Sequence, residues 1–319
     1  MPLSFLKTDI TQLACDAIVN AANTDLRMGR GVCGAIFNKA GVKQLQEACD
    51  ALAPIKTGEA VMTPGFNLNA RCIIHTAGPI YQNHHKIEAQ RLLELCYINS
   101  LTCALEAGCT TIAFPLISSG IYGYPKEDAL KVATTTIQDF LYTHEMDVIL
   151  VLFDKDTLFN PKHNDLQEYI TTHLIHTQHV SDLLETQAFM SETVQLRKSS
   201  LKQTIPQLDE SFSDTLMRTI DMKGFDDVTV YKRANIDRKL FSKLRKNGYM
   251  PSKRTACALC IALELNLDET NELLEKAGYT LSSSLLFDVI LMFFINNNNY
   301  DIYEINEALF SYDQQLLGR

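Results

Sequence analysis

Two turns set the frame for the first half of this chain. Each leaves the end of a short apolar run, is built of small residues, and opens directly into a segment with helical spacing. The first reads Asn20-Ala21-Ala22-Asn23 and then Gly29-Arg30-Gly31-Val32-Cys33-Gly34. The second reads Ser118-Ser119-Gly120-Ile121-Tyr122-Gly123-Tyr124-Pro125. Glycine lets backbone amides approach an anion closely, and the free amides and dipole of a helix start favour phosphate. Proline suits the first position of such a helix. Two cradles of this kind at the ends of buried strands suit a diphosphate held between them.

Around these turns, apolar runs alternate with helical patterns, as in a layered α/β domain. Strands are predicted at 3–6, 17–20, 59–64, 71–77, 111–116 and 148–153, and helices at 34–51, 87–107, 125–143 and 164–174. Phe153-Asp154, at the end of the last strand, offers an aromatic face that can stack on a base. Past His176 the pattern weakens into Gln, Thr, Ser, Glu and Lys, and from Ser213 onward Leu, Ile and Ala recur at helical spacing with no convincing strand. The 319 residues therefore divide into an α/β domain at 1–174, a partly helical linker at 175–212 and an all-helical domain at 213–319.

Composition narrows the classes. A hydrophobic share of 46% with 21% charged residues excludes a disordered chain. No apolar run reaches the ~18–20 residues of a membrane span. Met1 to Lys7 reads as a strand entering a core and not as a cleavable signal, and the nine cysteines are scattered without paired extracellular spacing. A cytoplasmic protein with no membrane partner is expected. A net charge of −9 argues against coating nucleic acid with the whole surface.

Gly29, Gly31 and Gly34 match the dinucleotide fingerprint G-x-G-x-x-G, yet the context is wrong for it. The preceding strand ends nine residues before Gly29, and the acids about 20 positions on, Glu47 and Asp50, fall inside a predicted helix. A nicotinamide-dependent dehydrogenase is rejected.

At Asp9-Ile10-Thr11, Asn20 to Asn23, Gly29 to Gly34 and Ser118 to Pro125, in this order, the chain resembles the macrodomain family over about residues 1–172. The resemblance implies a three-layer α/β/α fold around a mixed sheet and a pocket for ADP-ribose, a nucleotide derived from NAD, or for a derivative of it. It implies that Asp9 accepts from the adenine amino group with the Ile10 backbone beside it, and that Phe153 packs on the adenine ring. Ser118, Ser119, Gly120, Ile121 and Tyr122 would wrap the diphosphate. Asn23 would bond the distal ribose, with Gly31 and Val32 at the same end and Asn20 within the first turn. Many hydrolytic members carry an aspartate where this chain has Cys33, and a thiol is a poor general base for water at neutral pH. Arg30 stands where another glycine is usual, adding donors that would suit an extra acidic group; a solvated loop arginine is the alternative. Substrate-assisted water attack, with Asn23 orienting the ribose, would still permit ADP-ribosyl hydrolysis. The expected partner is thus ADP-ribose, free, conjugated or on protein, with no cofactor and no metal.

Other signals are weaker. His173, His176 and His179 spread around a helix instead of converging on a metal. Cys257 and Cys260 form a C-x-x-C inside an apolar helical run, which favours core packing. His75 lies in an apolar strand and reads as structural.

In the second half, residues 229–279 resemble the helix-turn-helix of phage repressors, with a helix near 229–234, a turn at Asn235 and helices at 237–246, 252–265 and 268–277. Nine basic residues (Lys232, Arg233, Arg238, Lys239, Lys243, Arg245, Lys246, Lys253 and Arg254) meet one acid, Asp237, between Tyr231 and Arg254. That local +8 leaves −17 for the rest of the chain. Such segregation suits DNA phosphates, or an acidic protein partner.

Overall fold

The computed structural model describes residues 3–152, 165–173, 210–246 and 248–318, which form two units divided between Asn160 and Pro161. Among the described residues no helix is long and apolar enough to cross a membrane.

The first unit is a six-stranded mixed sheet flanked by helices. Its strands are β1 (Leu3–Leu6), β2 (Ala17–Ala22), β3 (Ala60–Pro64), β4 (Cys72–Ala77), β5 (Thr111–Pro115) and β6 (Asp147–Val151), in the order β1-β6-β5-β2-β4-β3. Every neighbouring pair is parallel except β3 with β4. Strands buried on both faces read as near-continuous apolar runs, which is why β2, β4 and β5 were visible in the sequence. In register, Ile18 sits beside Ile73 on one side and Ala113 on the other. These three residues carry one face of the sheet into a core with Ile36, Phe37, Leu45 and Cys49 from α1 (Val32–Ala40) and α2 (Val42–Asp50). The other face is covered by α3 (Lys86–Glu106) and α4 (Lys126–Thr143), which bury Leu93, Tyr97, Leu101, Ala133 and Ile137.

The single helix expected at 34–51 is two helices. Gly41 adopts φ 107°, a conformation that L side chains rarely take, and it serves as the C-cap of α1 and the N-cap of α2. The helical periodicity runs on either side of it, so the break was hidden in a pattern that looked continuous.

The second unit is all-helical. A helix at 165–173 (α5) is followed by α6 (Phe212–Lys223), α7 (Asp227–Arg233), α8 (Arg238–Leu244), α9 (Lys253–Ala262), α10 (Leu267–Lys276), α11 (Leu286–Asn296) and α12 (Ile302–Ser311). Ser211, Asp226, Asp237, Ser252, Asn266 and Asp301 each cap a helix start with a side-chain oxygen, and Asn266 forms a full capping box with Glu269. α9 lies at the centre, with all residues from Thr255 to Ala262 buried, as befits a helix apolar on every side. The helix at 165–173, grouped by sequence with the α/β domain, places Leu166 and Ile170 in this second core. Most of the expected linker, residues 175–209, lies outside the described residues, and its last residue, Phe212, is buried and opens α6.

Candidate functional site

The carboxyl ends of β2, β5 and β6 border a cleft of about 730 Å³, the size that encloses a nucleotide-scale ligand. In an open, largely parallel sheet this is where ligands sit, because the connecting turns diverge there. One wall is the turn from Ala21 through Asn23 and residues 29–33 to α1; the facing wall is the turn from Pro115 to Tyr122 ahead of α4. Thr8, Asp9 and Ile10 close one end, with Val151 and Leu152 beside them in the lining.

Both walls present unpaired backbone donors. Gly31 caps α1 without a side-chain bond, so the amides of Val32, Cys33 and Gly34 have no partner inside their own helix. Among the described residues no acceptor is found for the amides of Ser118, Ser119, Gly120, Ile121 and Tyr122. Their turn is held from behind: Tyr124 donates to the Ser118 carbonyl at 3.0 Å, Tyr81 to that of Tyr122 at 2.9 Å, and Ser119 Oγ to that of Leu116 at 2.8 Å. Ser118 itself adopts φ 62°, a strained conformation for a residue with a side chain, and its hydroxyl is buried without a partner. Gly78 makes room for it, since a Cβ there would lie 2.2 Å from Ser118 Oγ and 2.7 Å from Ile117 Cγ2.

Charge is uneven along the cleft. Asp9 lies exposed at one end, with Oδ1 accepting from the Thr11 amide at 2.9 Å and the Thr11 hydroxyl at 2.8 Å. Partial burial works to raise its pKa, and the bonds from Thr11 and Gln12 outweigh that and hold it below the ordinary carboxylate value. Among the described lining residues Asp9 is the one carboxylate, whereas Arg30 and Lys126 are cations. Cys33 is buried on the α1 side; burial pushes its thiol up, against a weaker opposing bond from the Gly29 amide at 3.3 Å. Cys33 is therefore a neutral wall residue, and no general base stands at that position.

Thirteen of the sequence-predicted ligand contacts can be located relative to the cleft. Asp9, Ile10, Asn23, Arg30, Gly31, Val32, Cys33, Ser118, Ser119, Gly120, Ile121 and Tyr122 line it. Asn20 does not. β2 continues to Ala22, so Asn20 lies inside the sheet, fully buried, and its Nδ2 donates to His75 Nδ1 at 3.0 Å. Phe153 lies outside the described residues. Asn23 lines the wall with its amide already engaged: Nδ2 donates to the Arg27 carbonyl at 2.8 Å and Oδ1 accepts from the Arg27 amide at 3.0 Å. Gly78, Leu116, Ile117, Lys126 and Leu152 also line the cleft and were missed. Gly78 was detectable as a glycine directly after an apolar strand; the others carry no local signal.

The weaker motifs resolve simply. His75 is a neutral core residue: with Asn20 donating to Nδ1, its Nε2–H donates to Thr63 Oγ1 at 2.9 Å, and burial lowers its pKa to about 4. Cys257 and Cys260 are buried in α9. Among the described residues no group of three or more metal-ligating side chains assembles; His173 stacks on Tyr169 at 3.8 Å, while His176 and His179 are outside that set.

In the second unit the basic stretch is partly neutralised from within. Arg233 pairs with Glu264 and lies over the Phe225 ring, Arg245 pairs with Asp227, and Lys253 meets the buried Asp288 at 2.6 Å. Arg238, Lys239, Lys243 and Lys246 are exposed along α8 and its C-terminal turn, and Lys232 is half-buried.

Comparison with known proteins places the first unit. The macro domain family model matches residues 19–133. The chain is 54% identical over 136 residues to macro domain-containing protein CT2219 of Chlorobaculum tepidum, a match covering 43% of this chain and 78% of that protein. It is 44% identical over 157 residues to the O-acetyl-ADP-ribose deacetylase of Escherichia fergusonii, covering 47% of this chain and 88% of the relative. It is 48% identical over 151 residues to the ADP-ribose glycohydrolase MACROD2 of Xenopus laevis, covering 47% of this chain and only 36% of that longer protein. With the mixed sheet, the two amide-lined turns and relatives matched over most of their length, this chain belongs to the macro domain family.

Proposed function

We propose that the first unit binds ADP-ribose or an ADP-ribose derivative, and that the helical unit delivers the response. The observation that carries this reading is the pair of amide rows without a partner among the described residues, Val32–Cys33 and 118–122, which line opposite walls of one cleft. A diphosphate satisfies both rows at once, and the buried Ser118 hydroxyl gains a partner. Asp9 then selects adenine through its exocyclic amino group, with Ile10 beside it, and Phe153 stacks on the ring. Gly31, Val32 and Asn23 hold the distal ribose; Asn23 does so by exchanging its Arg27 bonds. Arg30 favours a ligand with a further acidic group at that end, where no carboxylate is found among the described lining residues. Calorimetry of the full chain with ADP-ribose tests the reading, and absence of heat at high micromolar ligand overturns it. Relay is tested by hydrogen exchange: amides of α6–α12 slow or quicken on ligand addition if the helical unit responds.

Turnover is a second reading, favoured by the likeness to a protein named as an O-acetyl-ADP-ribose deacetylase. With Cys33 a neutral thiol, water would be activated by the substrate's own phosphate. Release of ADP-ribose from mono-ADP-ribosylated protein, lost on Asn23→Ala, would support it.

DNA binding by the helical unit is a third reading. Arg238, Lys239 and Lys243 fall within about 140° of one another around α8, at 100° per residue, with Lys246 in the turn that follows it, while Leu240, Phe241 and Leu244 turn to the core. Three exposed cations on one helix face, with a fourth in the turn after it, suit phosphates more than a scattered surface charge does. A gel shift on duplex DNA that weakens steeply with salt, and vanishes in Lys239→Glu/Lys243→Glu, is the expected outcome; binding only to an acidic protein would favour an adaptor instead.

A further inference from the structure

At the end of the sheet where the parallel strands begin, opposite the cleft, four cysteines gather around the start of β4 and the turn before β5. Cys72 Sγ lies 3.9 Å from Cys109 Sγ. Arg71 Nη2 donates to Cys109 Sγ at 3.2 Å and to the Ala107 carbonyl at the same distance. Cys72 Sγ donates to the Asp16 carbonyl at 3.4 Å, and Cys15 and Cys103 are half-buried nearby. Asp16 is the carboxylate of this corner, and its Oδ2 is taken by the Thr110 amide and hydroxyl and the Thr111 amide. None of these cysteines lines the cleft.

The two thiols are differently placed. A guanidinium held against a sulfur compensates the negative charge that must develop there before the sulfur can act as a nucleophile. Cys109 has that partner in hydrogen-bond contact; Cys72 does not. Burial, with Cys109 as a neighbour, pushes the Cys72 thiol up to about 12, which suits a group that stays protonated until its partner has reacted. Cys72 and Cys109 are 6% and 4% exposed as residues and Arg71 beside them faces solvent, a setting that admits a small oxidant more readily than a bulky disulfide. The 3.9 Å between the sulfurs must close to the roughly 2 Å of a disulfide.

We propose that Cys72 and Cys109 are a reversible disulfide site, oxidised by hydrogen peroxide, with Cys109 the reacting thiol, Arg71 its positioning residue and Cys72 the resolving thiol. In the first step the Cys109 sulfur attacks a peroxide oxygen; an S–O bond forms, the O–O bond breaks, and the departing hydroxide takes the Cys109 proton to leave as water. In the second, the Cys72 sulfur attacks the Cys109 sulfur; the S–S bond forms, the S–O bond breaks, and hydroxide leaves with the Cys72 proton as a second water. Two thiols lose two electrons to one peroxide, and a dithiol reductant returns them.

The test uses the full chain, treated with hydrogen peroxide, quenched by alkylation and mapped by mass spectrometry. The expected first product is a Cys72–Cys109 link, seen as the loss of two hydrogens and reversed by dithiothreitol. Arg71→Gln is expected to slow its formation about tenfold, through loss of one charge-assisted hydrogen bond to the reacting sulfur, and Arg71→Lys to restore most of the rate. Cys72→Ser is expected to leave a dimedone-reactive sulfenic acid on Cys109. Oxidation of Cys15 or Cys103 while Cys72 and Cys109 stay alkylatable overturns the site, and the wild-type map decides this even if a variant fails to fold. Equal rates in wild type and Arg71→Gln overturn the assignment of Cys109 as the reacting thiol.

Discussion

The Gly29 amide donates to Cys33 Sγ at 3.3 Å, pinning the glycine turn to the first turn of the helix it enters. The sulfur therefore acts as a structural acceptor in the wall of the cleft, with burial keeping its proton on. Cys33→Ser keeps a small acceptor at this place. It is expected to bind ADP-ribose within about twofold of wild type by calorimetry, because a shift of a few tenths of a kcal/mol changes affinity no more than that. Any hydrolysis the protein performs should survive it as well.

Gly78→Ala reads the opposite wall. The added Cβ meets Ser118 Oγ at 2.2 Å and Ile117 Cγ2 at 2.7 Å, so the side chains of the wall or the turn that carries them must shift. Overpacking of this kind costs about 1–3 kcal/mol. Urea unfolding is expected to show that loss, and calorimetry a fall in ADP-ribose affinity of tenfold or more as the amide row is displaced.

Asp9→Asn addresses base selection. In the proposed binding mode the carboxylate accepts from the amino group of adenine, whereas a hypoxanthine ring has no such group. A charge-assisted hydrogen bond contributes about 1.5–3 kcal/mol. Wild type is expected to prefer ADP-ribose over its inosine analogue by tenfold or more, and the variant to lose most of that preference in paired titrations.

His75 links pH to stability. Its pKa falls from the ordinary 6.5 to about 4 in the fold, so between these values the unfolded chain holds a proton that the folded chain does not. The stabilisation is fully present above pH 6.5 and is lost as pH falls toward 4, with an upper value of about 3 kcal/mol. Urea midpoints of the wild type at pH 7.5 and 4.5 should differ by more than those of His75→Gln, whose amide can also bond Asn20 or Thr63 but does not titrate.

Lys253→Met tests the buried pair in the helical unit. Asp288 is fully buried and its Oδ2 accepts from Lys253 Nζ and from the Ser282 amide. Removing the cation leaves a buried charge without compensation, at a cost of about 3 kcal/mol or more. Thermal melting should show the single variant strongly destabilised and Lys253→Met/Asp288→Asn recovered in part.

The sheet was legible because its strands are buried on both faces, and the walls of the cleft because small residues stand directly between strand and helix. The six predicted strands all form, with ends shifted by at most a few residues. Helix starts in the second unit were readable from Asp237, Ser252 and Asp268-Glu269, since capping is a local chemistry. What could not be read depends on neighbours distant in sequence. Asn20 looked like part of a ligand turn, and only the pairing of β2 with β4 shows it facing His75. Lys126 and Leu152 reach the cleft from elements whose own patterns are ordinary. The Cys72–Cys109 contact joins residues 37 positions apart, and nothing local marks it. Likewise the +8 of the basic stretch overstated its free charge, because Asp227, Glu264 and Asp288 lie outside the stretch or across the bundle from it.

The break at Gly41 has a bearing on how this fold can diversify. A single straight rod across residues 32–50 would tie the direction of its leading amides to the way its trailing half rests on the sheet. Split at one residue of positive φ, the leading nine-residue piece can be aimed at the cleft while the trailing piece is shaped by packing alone. Drift in the sequence of α2 can then proceed without turning the donor row away from whatever it holds.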